Sequence, residues 1–357
     1  MSRPRCVCLF TLVLLIGGLV GCDGLTYVAH VAKGQLAIQG HTEPIDDVLA
    51  SGQLTEEEEA KLRLIVDARQ FAVDTIGLNA GDSYTTFYDT GGDPLAYNLS
   101  AARRDALVPH TWTFPIVGEV PYLGFFDEDY MQQVKQDLIN EGYDTYSYEV
   151  DAYSTLGVFE DPVRSTMLRR GTLSLAETVI HELLHNTVWR ANATIFNESL
   201  ATFVGRTGAV EFLRAEYGED SGWPEVATAY YADVDVVNRF LFDLYGALET
   251  YYAQPLGKQE LIAGREAVYQ AQRDRFVAAI LPTLNYPDSF AGYANLPTNN
   301  AWMLGHYRYN LDLTLFAQVY AAVGEDWPAA LEVYRAAADA KSDPFQYLRD
   351  WLAEGGG

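Results

Sequence analysis

Thr178-Val-Ile-His181-Glu182-Leu-Leu-His185 is the stretch on which the reading of this chain turns. It lies in a run from about Leu173 to Trp189 whose apolar residues, among them Leu175, Val179, Leu183 and Leu184, recur at helical spacing. Residues four apart on a helix stand one turn above each other on the same face, so His181 and His185 can offer two imidazoles to one ion. Glu182 is rotated by about 100° and borders that face, close enough to serve a water rather than the ion itself. The chain has only six histidines, which makes two at this spacing on an apolar helix informative. The competing reading is a pair of core histidines bonded to carbonyls, with Glu182 and Glu198 at the surface.

A catalytic zinc site needs a third protein ligand. Asn197-Glu198-Ser-Leu-Ala201 supplies one if the helix runs about one turn past His185, climbing roughly 6 Å, and a second helix starts near Thr194 and descends as far. Glu198 then lands level with the two histidines, and Ala201 is small enough to let the helices approach. Two imidazoles and two carboxylates on an apolar helix pair are hard to satisfy without an ion. One zinc per chain, held by His181, His185 and Glu198, leaves a fourth position for water and lowers its pKa toward neutrality. Glu182 then takes the proton as that water attacks a peptide carbonyl and gives it to the leaving nitrogen. An oxyanion donor is sought in the stretch 299–309, with Tyr307 first and His306 second; a buried aromatic or a capped surface residue is the other reading of each.

Working outward, Thr55-Glu-Glu-Glu58 has the form of a capping box and predicts a helix to about Ile76. Ser83–Asp89 and Trp112–Phe126 read as strand-rich, Asp127–Asn140 as a helix and Tyr143–Tyr153 as extended. From Leu173 onward nearly everything reads as helix, with breaks near Gly222-Trp-Pro224 and over Leu281–Pro297, and with last helices at roughly Ala301–Val323 and Trp327–Ala338. The fold class is therefore α+β and predominantly helical, with a small mixed or antiparallel sheet in the N-terminal half and a helical C-terminal half. Residues 43–172 form the mixed part and 173–357 the helical part.

The N-terminus addresses location. Arg3 and Arg5 precede an apolar run, Cys6–Val20, too short for a spanning helix and suited to a signal peptide over 1–21. It ends in Leu19-Val-Gly-Cys22, which resembles the lipobox of bacterial lipoproteins; Cys22 would then carry the lipid and residues 22–42 the tether. The chain is expected in the bacterial cell envelope, exported and bound to the membrane through Cys22. Asp23 suggests the inner membrane if enterobacterial sorting applies. Lys and Arg total 24 against 49 Asp and Glu, a formal charge of −25. That balance argues against nucleic acid and against a basic patch for anionic lipid.

These motifs resemble the gluzincin metallopeptidases and, more narrowly, the bacterial putative aminopeptidase lipoprotein family. The likeness is carried by the lipobox, Thr113–Gly118, Pro121-Tyr-Leu-Gly-Phe-Phe126, Ala152–Gly157 with Asp161-Pro162, His181–Thr187, Phe196–Gly205 and Asn299-Asn-Ala301. It implies a gluzincin-like core in which His181, His185 and Glu198 are zinc ligands and Glu182 the general base. It also implies a zinc peptidase acting on a peptide substrate as an aminopeptidase. Tyr153, Ser154, Thr155, Leu156 and Gly157 would form a strand beside the cleft on which a peptide adds; a buried strand and turn is the equal alternative. The chain departs from thermolysin-like enzymes in two ways. Only twelve residues separate His185 from Glu198, and Thr202 stands where an acid is usual one turn later. No amine-capturing acid is identifiable. An envelope endopeptidase or amidase, and a zinc-binding lipoprotein scaffold without catalysis, are the alternatives.

Overall fold

A computed structural model describes residues 27, 30, 38, 40–94, 96–114, 118–150, 160–308 and 311–356. The lipobox, Cys22 and Tyr153–Gly157 lie outside them. In chain order the first part comprises β1 (Glu43–Pro44), α1 (Ile45–Ser51), α2 (Glu56–Phe71), β2 (Thr86–Tyr88), β3 (Ala96–Arg103), β4 (Trp112–Phe114), β5 (Gly118–Val120), β6 (Leu123–Phe125), α3 (Glu128–Asn140), β7 (Tyr143–Val150) and β8 (Val163–Arg164). Then come α4 (Thr172–His185), α5 (Thr194–Tyr217), α6 (Trp223–Tyr252), α7 (Lys258–Arg275), α8 (Asn300–Arg308), α9 (Leu313–Ala322), α10 (Trp327–Asp339) and α11 (Pro344–Ala353). The chain is predominantly helical with small sheets. Among the described residues no helix is long and apolar enough to cross a membrane.

Local chemistry accounts for the helix starts. Thr55 and Glu58 satisfy each other's backbone amides at the head of α2, the Thr55 Oγ1 accepting at 3.3 Å and the Glu58 carboxylate at 2.9 Å. Asp127, Asp326 and Asp343 cap α3, α10 and α11 in the same spirit. The helix α2 buries Leu62, Leu64, Ile65 and Ala68, and continues as a wider π-turn over Ala72–Ile76.

The main sheet runs β6-β3-β7, antiparallel throughout, with Leu99 opposite Leu123 on one side and Ser147 on the other. Helix α3 covers it through Met131 and Leu138, which pack with Leu99, Ala101 and Phe125. The central strand β3 is the element that the sequence reading passed over. Its residues, Ala-Tyr-Asn-Leu-Ser-Ala-Ala-Arg, are mostly small or polar, and pairing on both edges makes a strand of what intrinsic preference does not. A second sheet, β1-β2-β8, pairs β2 parallel to β8, and β4 pairs with β5.

The helical part holds two apolar clusters. One gathers α2, α4 and α5 with α9, α10 and α11 around Leu183, Leu200, Phe196 and Phe316. The other lies between α6, α7 and α8 around Phe240, Tyr269, Phe276, Trp302 and Met303. A polar clamp ties this second cluster to the main sheet. Asp144 on β7 accepts two hydrogen bonds from Arg265 and one from the Asn300 amide at 2.8 Å. The Asn300 side chain donates to the carbonyls of Arg103 and Ala106 and accepts from the hydroxyls of Tyr252 and Tyr269. Asn299 donates to the Thr145 carbonyl and caps α8 at the Trp302 amide. The Asn299-Asn300 pair thus seats α8 on the sheet.

One expected helix, Ala301–Val323, is instead two: α8 ends at Arg308 and α9 starts at Leu313, after Asp312 at φ 54°. The break is stabilised from outside the segment. Ser199 Oγ donates to the Arg308 carbonyl at 3.2 Å and accepts the Leu311 amide at 3.1 Å. Apolar periodicity continues across such a break and so conceals it.

Candidate metal centre

The helix α4 carries an unbroken apolar face, Leu175, Ala176, Val179, Ile180, Leu183 and Leu184, all buried. It ends at His185, one turn short of the expected end. Thr187 accounts for this: its hydroxyl donates to the Leu183 carbonyl at 3.0 Å and accepts the Asn79 amide at 2.9 Å, turning the chain away. The return to α5 is fixed by Asn197, whose side chain accepts the Arg190 amide and donates to the Arg190 carbonyl. Arg190 in turn donates to the carbonyls of Ala337, Ala338 and Ala340 at the end of α10. The turn that sets the height of Glu198 is therefore bonded on both sides.

Two glycines govern how closely α4 and α5 approach. A Cβ on Gly205 would lie 3.0 Å from the Glu177 carbonyl and 3.2 Å from the His181 Cβ. A Cβ on Gly208 would meet Ile76 at 2.7 Å and Ile180 at 3.2 Å. Ala201, one turn after the glutamate, is fully buried at the same contact.

The hairpin brings His181, His185 and Glu198 together, one ligand atom of each lying within 4.8 Å of the others. The Nε2 atoms of His181 and His185 stand 3.4 and 3.5 Å from the same Glu198 Oε2. Both are longer than an N–H···O hydrogen bond, which runs to about 3.2 Å. They match the edge of a tetrahedron with metal bonds of about 2.0–2.1 Å, whose corners are about 3.3 Å apart. Glu198 is only 4 % exposed and His185 6 %. The imidazoles meet edge to face at 4.9 Å, and Trp189 packs edge-on against His185. His185 Nδ1 is buried and has no hydrogen-bond partner among the described residues. The donor set, two imidazole nitrogens and one carboxylate, suits zinc or a similar transition metal, and this buried cluster could hold one such ion.

Electrostatics here are strongly coupled. Burial acts to raise Glu198, but the flanking imidazoles of His185 and His181 overcome it and hold the carboxyl far below its ordinary range. Burial acts to lower His181, and its contact with Glu198, with Glu182 beyond, reverses that and raises it. Glu182 is half-buried beside the ligands. Its charge is felt at two tyrosine hydroxyls. Burial first and Glu182 second push Tyr84 well above the usual tyrosine value; burial and then Glu198 do so for Tyr122, with a smaller push from Glu182 and an opposing pull from Arg308.

The sequence did not reveal Tyr84 and Tyr122, whose hydroxyls feel the carboxylates of the centre, or Arg308, whose guanidinium lies over the Tyr122 ring and whose carbonyl accepts from Ser199. Tyr84 is 1 % exposed and held at φ 61°, a conformation uncommon for a bulky residue. Tyr122 is the second residue of Pro121-Tyr-Leu-Gly-Phe-Phe126, the one signal that could have drawn notice to it. The two expected oxyanion donors pack among other aromatic rings. Tyr307 stacks on Tyr245 at 4.3 Å and meets Phe242 edge-on, while His306 packs on Trp302 at 4.2 Å and on Tyr293. Both belong to the aromatic packing around the second cluster, on faces of α8 turned to other partners than Arg308, and burial pulls His306 down to about 4. A groove of about 650 Å³ between α5, α6 and α9, lined by Arg206, Glu211, Tyr231 and Asp235, includes none of the three ligands.

The family model described as "Putative aminopeptidase" matches residues 26–345 of the chain. No curated protein and no solved structure matches it.

Proposed function

This chain belongs to the putative aminopeptidase family, and from that premise we propose that it is a zinc-dependent metallopeptidase with a gluzincin-like core. His181, His185 and Glu198 would hold the ion. The observation that carries the reading is the pair of distances, 3.4 and 3.5 Å, from two imidazoles to one shared carboxylate oxygen. When bound, zinc supplies Lewis acidity toward a carbonyl and lowers the pKa of water.

The remaining chemistry falls to the chain's own groups. Glu182, next to a ligand on the same helix and not a member of the ligand cluster, takes the proton of the attacking water and delivers it to the departing amine. Tyr122, protonated at neutral pH like any tyrosine and close enough to feel the Glu198 charge, is the donor this reading assigns to negative charge developing on the substrate oxygen. Apolar packing behind the helix pair holds these groups in place without reorganisation. The family favours removal of residues from the peptide N-terminus. The stretch Leu19–Cys22 supports a lipid tether at Cys22 and, with it, a place in the bacterial cell envelope.

The test is a peptide-library digest read by mass, with the zinc-loaded chain beside Glu182→Gln. The variant should retain its zinc and lose about 10²- to 10⁴-fold in rate. Cleavage at the parental rate would remove Glu182 from the mechanism, and internal cuts in place of ladders from one end would remove the exopeptidase assignment.

A further inference from the structure

We propose that Arg308 is a substrate anchor beside the metal centre, holding a peptide carboxylate, so that short peptides with a free C-terminus near the bond to be cleaved are preferred. The inference rests on the peptidase reading above and names its substrate class.

Arg308 closes α8 and is only 4 % exposed. Its main chain is fixed to the metal-bearing helix by Ser199, the residue after Glu198, at 3.2 Å. Its guanidinium carbon lies 4.9 Å from the centre of the Tyr122 ring, the same tyrosine that feels Glu198 and Glu182. Among the described residues this guanidinium makes no hydrogen bond and no ion pair. Arg265, equally buried, shows the usual arrangement: it is bidentate to Asp144 and also reaches the Arg104 carbonyl.

A guanidinium stays charged in any protein environment. Arg308 is largely covered, yet none of its nitrogens is among the enclosed side-chain atoms that lack a partner, so its N–H edge stays open to a ligand. The Tyr122 ring satisfies one face of the cation but none of its in-plane N–H groups. Those five donors form a planar fork that fits a carboxylate in two parallel bonds. Every short peptide with an unblocked end carries such a group on its main chain. An acidic side chain carries it too, and the experiment separates the two.

The full chain carrying Glu182→Gln, loaded with zinc, is titrated calorimetrically with alanyl-phenylalanine, with its C-terminal amide, and with the α-amide of alanyl-aspartate. The free acid should bind about tenfold or more tightly than its amide. Adding Arg308→Lys should remove most of that preference, since an ammonium lacks the fork, and Arg308→Met should abolish it at unchanged zinc content and melting temperature. Equal binding of acid and amide overturns the proposal, and so does a preference that survives Arg308→Met. Tight binding of the aspartyl amide with none of the free acid overturns the C-terminal assignment. The acid–amide comparison stands without either Arg308 variant, should these fail to fold. Because the titration measures binding in a chain that does not turn over, absence of hydrolysis by the unmodified protein would overturn the peptidase reading and leave this result intact.

Discussion

Glu198 is the residue on which the centre closes, because one of its oxygens faces both imidazoles. Glu198→Ala leaves two histidines, and zinc affinity should fall by more than the roughly 100-fold seen when outer partners of such sites are lost, as measured by competition with a chelating dye. An unchanged affinity would place the ion elsewhere. His306 yields a pH prediction. Its pKa is held near 4 in the folded chain by burial, against 6.5 when exposed. The unfolded chain therefore binds the proton first: the stability this group contributes is complete above pH 6.5 and drains away as pH falls toward about 4. Denaturant unfolding across that window should give a flatter pH profile for His306→Gln, and an identical slope would show that His306 is not buried neutral. At this scale the sequence exposed what helical periodicity places, namely His181, Glu182, His185 and, through helix rise, Glu198. Tyr84, Tyr122 and Arg308 come from a loop, the approach to a strand and a helix end, which no spacing rule connects.

The α4–α5 hairpin is built on close approach, and Gly205 is its contact point. Gly205→Ala sets a methyl 3.0 Å from the Glu177 carbonyl, directly behind His181. The helices must part, at a cost of about 1–3 kcal/mol. A lowered melting temperature together with weaker zinc binding is expected, and full zinc affinity in a destabilised variant would show that the ligands do not depend on this contact. The existence of the hairpin was legible from the apolar face of α4 and from the Thr194 start of α5. Its turn was not, because Thr187, Asn197 and Arg190 fix it through bonds to Asn79 and to the end of α10. The break between α8 and α9 was hidden for the same reason, being held by Ser199 from a different helix.

Across the whole molecule the helical part is joined to the sheet by Asp144, Arg265 and Asn300, which meet in a buried network. Asp144→Ala strips the anion from a buried arginine and should cost about 3–5 kcal/mol in denaturant unfolding. A loss below 1 kcal/mol would mean that the two parts hold together without it. The predominantly helical character with small sheets followed from hydrophobic period together with capping and turn residues. The strand β3 did not, since pairing on both edges rather than composition makes it a strand. Asn299 and Asn300 drew notice as neighbours of possible oxyanion donors, and the fold uses them to dock α8, which in turn presents Arg308. All of this scaffold converges on one point in space. Anomalous diffraction at the zinc edge, from crystals grown with zinc, should give a single strong peak within bonding distance of His181 Nε2, His185 Nε2 and Glu198 Oε2. A peak bound by other residues, or none at this hairpin, would contradict the account.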